Sequence, residues 1–394
     1  MCKYLVTKYP DLLNVIDNYY GFTVLHDALK EQNLDLFSYL LTLGMNVNDL
    51  ANNGESVLHT SCQRGHLDLS LFEVKDKNGC TVLHDAGLGG NVDVFKLLID
   101  KGLDIKTTTN DGKTVLHNCC LNGKLEMCKY LVTKYPDLLN VIDNDGFTVL
   151  HDAAKDGNFV LFSYLLSVGM NVNDLANNGE SVLHILCRDG NLEMCKYLAQ
   201  NHPQLLNAID NDGDTVLHAA ASGGHSELFN YLLTVCSNVN AITNNGKSVL
   251  HIFCRNGNLE MCKYLAQNHP QFLNAIDNDG DTVLHAAARG GNSELFNYLL
   301  TVCSNVNAVT NDGESVLHIF CRNGNLEMCK YLAQNHPQLL NAIDNDGDTV
   351  LHAAAKRGNM ALCSYLFTVL NVNAIKNDVE SVLHILCRNG NLEM

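Results

Sequence analysis

Residues 181–213 read SVLHILCRDGNLEMCKYLAQNHPQLLNAIDNDG, and residues 214–246 read DTVLHAAASGGHSELFNYLLTVCSNVNAITNNG. Thr/Ser-Val-Leu-His stands near the start of each stretch. The same tetrapeptide recurs twelve times, its histidine at His26, His59, His84, His117, His151, His184, His218, His251, His285, His318, His352 and His384. The spacings are 33, 25, 33, 34, 33, 34, 33, 34, 33, 34 and 32, so two flavours alternate and the true unit is a 67-residue pair. Neither half is long enough to bury a core alone, and neighbours must stack.

The local reading follows from residue chemistry. Thr or Ser before Val-Leu-His suits a helix N-cap, its oxygen accepting a backbone N–H two or three residues on. Six residues after the histidine comes Gly in eleven of the twelve copies, Gln32 being the exception. Glycine is the favoured left-handed residue that ends a helix, which limits this one to under three turns. A second helix follows, with Leu228, Phe229, Tyr231, Leu232 and Leu233, or Met194, Cys195, Tyr197 and Leu198, at helical neighbour spacings. Asn-Asp-Gly or Asn-Asn-Gly then supplies the residues of a tight projecting hairpin.

These residues resemble the ankyrin repeat, whose 33-residue pattern contains G-x-T-P-L-H-x-A-A and later a paired Leu. The match is strongest at Gly213, Thr215, Leu217, His218, Ala220, Ala221, Gly224, Leu232, Leu233, Asn240 and Ala241, and it covers essentially the whole chain. The resemblance implies an all-α repeat fold: an ankyrin-type solenoid of helix-turn-helix units with short hairpin fingers, non-catalytic, whose fingers and inner helices bind other proteins. The expected organisation is a partial repeat at 1–20, a repeat at 21–53, a shortened repeat at 54–78, nine repeats over 79–378 and a partial repeat at 379–394, together one continuous solenoid domain.

The chain departs from the family in several places. Val stands where the family has Pro at the first helical position, as at Val216 and Val249, at small expected cost. Leu186-Cys187 or Phe253-Cys254 replaces Ala-Ala in one flavour, which also carries one extra residue around His202-Pro203. That insertion is expected to widen the repeat. Val379 replaces a finger glycine and should alter that finger. Between His59 and His84 most of a second helix is missing, with His66 to Ser70 in its place. Either the joint is weak there or the gene model is in error. Met1-Cys2-Lys3-Tyr4-Leu5 matches Met127–Leu131, and Asn391–Met394 matches Asn191–Met194. Natural solenoids end in atypical capping repeats, so a fragment of a longer chain is expected.

Composition narrows the function classes. With 26 Lys plus Arg against 43 Asp plus Glu and a net charge of -17, the 394-residue chain should repel a phosphate backbone, and no nucleic acid is expected. Apolar runs stay below the roughly 20 residues of a spanning helix, so no membrane insertion is expected. Sixteen cysteines with no leader segment read as reduced thiols in a cytoplasmic, monomeric protein. Equivalent residues of packed neighbours should lie about 8–10 Å apart, too far for one metal or for disulfides between copies. Each histidine is therefore expected to bond backbone groups of its turn, and neither cofactor nor catalysis is expected.

Contact residues are expected on the groove side. Arg188, Arg255 and Arg322, with Arg388, follow their histidine by four residues, and Arg289 and Lys356, with Lys155, extend the row. Such bases either complement the negative helix end or meet a ligand. Asp214, Asp281 and Asp348 follow the finger glycine and are not required by the turn. Ile185, Ile252 and Ile319, with Ile385, directly follow the histidine and are expected to expose apolar surface to a protein ligand. Comparing 183–249 with 250–316, Ser222 stands against Arg289 and Lys247 against Glu314. Duplication with drift and divergence of a contact surface both account for this. The function expected is a protein-protein interaction scaffold; a cytoplasmic region of a membrane channel or receptor, or a targeting arm of an enzyme such as a ubiquitin ligase, are the alternatives.

Overall fold

A computed structural model describes residues 75–303, 305–370 and 382–388, and before them 12, 13, 15–31, 33, 36, 39, 40, 43, 45, 49–53, 55–57 and 59. The missing second helix before His84, the Val379 finger, and the Met1–Leu5 and Asn391–Met394 segments lie outside them. The chain divides into two units, residues 1–186 and 187–394, the division falling within helix Val182–Asp189. Each unit is an all-α solenoid of stacked helix pairs. In the first lie Val82–Gly89 with Val92–Asp100, Val115–Leu121 with Leu125–Lys134, and Val149–Asp156 with Phe159–Ser167. In the second, Val216–Gly223 pairs with Ser226–Val235, and the pattern continues to Val350–Arg357 with Met360–Val369.

The cap residues set these boundaries. Thr215 is extended (φ -91, ψ 171), and its hydroxyl and the ring of His218 close a reciprocal capping box. Histidine here takes the role that Glu or Gln plays in the usual form of that motif. Gly224 ends the helix in the left-handed region at φ 76. Val216 and Val249 are fully buried, so packing offsets the loss of the preset proline φ. Most second helices start on an asparagine, though Lys124 and His225 hold that place in two of them: the Met194 N–H donates to Asn191 Oδ1 at 3.1 Å, and the Leu295 N–H to Asn292 Oδ1 at 2.8 Å. The extra residue at His202-Pro203 becomes a 3-10 turn, Pro203–Asn207, that buries Leu205.

Neighbouring repeats meet through rings and fingers. Phe229 and Phe253 pack edge to face with centroids 4.8 Å apart, as do Phe296 and Phe320, all fully buried. Substituting such a ring by alanine costs about 3–5 kcal/mol. The fingers are held by isolated antiparallel bridges, such as Ile209 with Thr215. Each finger is also clipped to the one before it. Asn278 donates its Nδ2 to the Asn244 carbonyl at 2.8 Å and its N–H to the Asn245 carbonyl at 2.9 Å; Asn311 and Asn345 repeat the arrangement. That clip explains the finger glycine. At Gly280 (φ 80) a Cβ would lie 2.6 Å from the Asn311 nitrogen.

Candidate functional site

Two positions come together in several repeats: the residue four before the histidine, just past the finger glycine, and the residue four after it. In the second unit they are mostly an acid and a base. Arg289 makes a forked pair with Asp281, Nε to Oδ2 at 2.7 Å and Nη2 to Oδ1 at 3.1 Å. The Asp281 hydrogen bond, working against burial, raises the Arg289 pKa. The same guanidinium stands 3.6 Å from Glu314 on the next finger, where Arg322 also binds. Lys356 binds Asp348. The first unit fills the slot differently, with Lys155 3.5 Å above the Phe147 ring and Lys30 5.3 Å from that of Phe22.

Several expectations need correction at these positions. Asp281 and Asp348 are buried, because the base of their own first helix folds onto them, and are not exposed contact residues. Ile185 and Ile319 are 3% and 2% exposed and Ile385 is buried too, while Ile252 is half-buried. First helices of neighbouring repeats pack directly on one another, as Val249–Asn256 does on Val283–Gly290, and cover the residue after the histidine. Arg188, Arg255, Arg322 and Lys356 are exposed, and Asp214 is half-buried.

The acid–base alternation breaks in two consecutive repeats of the second unit, and a cleft of about 340 Å³ opens there. Its lining includes Asp214, Lys247, Ile252, Arg255, Asp281 and Arg289. Ser222 stands where a base would face Asp214, and Lys247 where an acid would face Arg255. Among the described residues neither Lys247 nor Arg255 makes an ion pair. The first unit shows what Lys247 lacks. Lys113, at the same position in its repeat, holds Asp143 at 2.8 Å and Asp152 at 2.9 Å. Burial opposes the Lys113 charge, but Asp152 and Asp143 outweigh it and raise its pKa; burial raises that of Asp152 despite Lys113. In the second unit Ala286 replaces the Asp152 equivalent. Lys247 shows in the sequence only as a surface difference, and the Lys113 cluster carries no local signal, since it brings together residues 39 apart in sequence.

The histidines bind backbone, as expected. The His218 Nδ1 accepts from the Thr215 N–H at 3.2 Å, which leaves its proton on Nε2 to donate to the Lys247 carbonyl of the next repeat, also at 3.2 Å. Burial lowers the pKa of His84, His117, His151 and His285 to about 4. Four pairs of cysteines meet, each within a repeat. Sγ atoms are 3.7 Å apart in Cys120/Cys128 and Cys187/Cys195, and 3.6 Å apart in Cys254/Cys262 and Cys321/Cys329. Burial pushes the Cys120, Cys187, Cys254 and Cys321 thiols well above the usual range, which favours the inert protonated form. Among the described residues no three side chains of metal-ligating type converge, and no helix is long and apolar enough to cross a membrane.

A family model described as "Ankyrin repeats (3 copies)" matches residues 43–109, 103–176, 150–243, 231–309 and 291–378. No curated protein matches the chain.

Proposed function

We propose, from the premise that this chain belongs to the ankyrin-repeat family, that it is a non-catalytic scaffold whose groove and fingers bind a protein or peptide. Ankyrin repeats are generally protein–protein interaction modules. The observation that supports this reading is the cleft of the second unit, which gathers Asp214, Ile252, Arg255, Asp281 and Arg289 around Lys247. There Asp281 and Arg289 pair with each other, but among the described residues Lys247 and Arg255 make no ion pair, and these two cations are left to be met from outside. A carboxylate on the partner gains most from that pair, because hydrogen bonds to charged groups contribute about 1.5–3 kcal/mol each.

Paired residues such as Arg322 are poor probes, since reversing their charge disturbs Glu314 as well. The test is affinity capture with the whole chain, repeated with Lys247→Glu and Arg255→Glu together. Capture of a protein that the double variant loses, with its melting temperature unchanged, supports the cleft as the contact. Equal capture by both chains rejects it.

A further inference from the structure

Nine residues before the histidine, where each finger begins, the second unit repeats one more side chain: Ile209, Ile242, Ile276, Val309 and Ile343. All five are between 51% and 62% exposed. Single exposed aliphatics are ordinary on any protein surface. A row in one register through five consecutive repeats is not scatter. The residues contribute little burial to their own fold, yet their backbone is held firmly, since Ile209, Ile276, Val309 and Ile343 each bridge to the N-cap residue of the following helix. They are β-branched, so little rotamer freedom remains to be lost when something covers them. None of the five lines the cleft.

The pitch and the charge of this row define its occupant. Neighbouring repeats lie about 8–10 Å apart, and seven residues of α-helix rise about 10.5 Å. A helix with an apolar ridge of heptad period therefore gains only about 0.5–2.5 Å on the ladder per repeat, close enough to set its ridge against a few consecutive ladder residues. The drift of a straight helix, about 20° per heptad, keeps four heptads within a quarter turn. Three residues beyond the ladder, at the finger tips, stand the exposed acids Asp212, Asp279, Asp312 and Asp346. Among the described residues none of these four makes an ion pair. A cationic flank on the helix would be attracted to them.

We infer that this ladder is a second docking surface, adjoining the cleft only at the Asp212 finger tip, and that its occupant is the basic amphipathic helix of a partner protein. The side chains on the two sides complement each other twice, aliphatic row against apolar ridge and acidic tips against Lys or Arg beside the ridge.

The test uses the whole chain and a fluorescent synthetic peptide of about four heptads, with leucine at one heptad position and arginine on both flanks. A second peptide of identical composition places its leucines at a five-residue period. The heptad peptide should bind about tenfold tighter or more, since each aliphatic contact covered contributes on the order of 1 kcal/mol. Joint substitution of Ile209→Ser, Ile276→Ser and Ile343→Ser should weaken it by about tenfold or more while leaving the melting temperature unchanged, because the replaced groups are exposed. Asp279→Lys with Asp346→Lys should weaken it as well, and should flatten its salt dependence. Equal binding of the two peptides, or native binding by the serine variant, overturns the inference. A dimer of the whole chain that the serine variant dissociates also overturns it, in favour of a second copy. The Lys247→Glu, Arg255→Glu chain separates this surface from the proposed function: it should lose its captured protein and keep the heptad peptide.

Discussion

The two units place different chemistry on one backbone pattern. In residues 187–394 the slot beside His285, His318 and His352 is closed by a part-exposed base on a largely buried acid, such as Arg289 with Asp281 and Arg322 with Glu314. In residues 1–186 the same slot is closed by Lys155 on Phe147, and beside it Lys113 sinks between Asp143 and Asp152, whose side chains are 1% and 0% exposed. Charges left near water cost little to rearrange; charges taken out of it do not. The first unit's buried cluster therefore fixes its packing, whereas the second unit's row can lose a member without damage. It has done so at Ser222 and Lys247, and the cleft lies there. The exposed ladder differs in the same sense. It is unbroken in the second unit, but Lys75 and Thr108 interrupt it in the first.

The largest expected effect removes the contrast, because both units share the buried histidines. His84, His117, His151 and His285 have folded pKa values near 4 against about 6.5 unfolded, so the unfolded chain binds more protons between those values. Their stabilisation is complete above pH 6.5 and is lost as pH falls through 4. Thermal melts should show a loss of about 2 kcal/mol per histidine at pH 5 relative to pH 7. A melting temperature flat over that range would contradict the burial argument.

Lys113→Met should cost about 3–5 kcal/mol in denaturant unfolding, since it strands two buried carboxylates. Arg289→Met should cost less, about 1–3 kcal/mol, since it strands one largely buried carboxylate, Asp281, where Lys113→Met strands two. Equal losses would erase the distinction drawn between the units. A loss of similar size to that at Arg289 is expected at the finger glycine. Gly280→Ala and Gly146→Ala should each cost about 1–2 kcal/mol from the left-handed backbone alone, with a further loss because a Cβ meets Asn311 or Asn177. A response in only one unit would mean that the asparagine clip is not shared. The smallest effect is expected at Lys155→Gln, where about 0.5–1 kcal/mol of cation–π attraction is lost.

What could be read from the sequence was what local chemistry decides. The Thr215 cap, the Gly224 stop and the Asn-Asp-Gly fingers are contained within a few consecutive residues, and the structure places each as read. The fate of Ile185, Asp281 and the cysteines depended on neighbours 8 or more residues away, which a one-dimensional pattern does not rank. Ile252 and Ile319 carry the same signal as a groove residue, yet the adjacent first helix covers one partly and the other wholly. The ladder was visible in principle: Asn-Ala-Ile-Asp, Asn-Ala-Ile-Thr and Asn-Ala-Val-Thr recur with an apolar residue that no helix face needs. Its exposure becomes apparent only once the finger is folded.

The thiol pairs have a practical consequence. Each lies wholly inside one repeat and is shut away from solvent, so an alkylating reagent can reach it only while that repeat is open. Cys120/Cys128, Cys187/Cys195, Cys254/Cys262 and Cys321/Cys329 thus act as time-stamped recorders distributed along the chain. The order in which tryptic fragments gain mass under mild denaturant would chronicle where breathing begins and how far each excursion spreads.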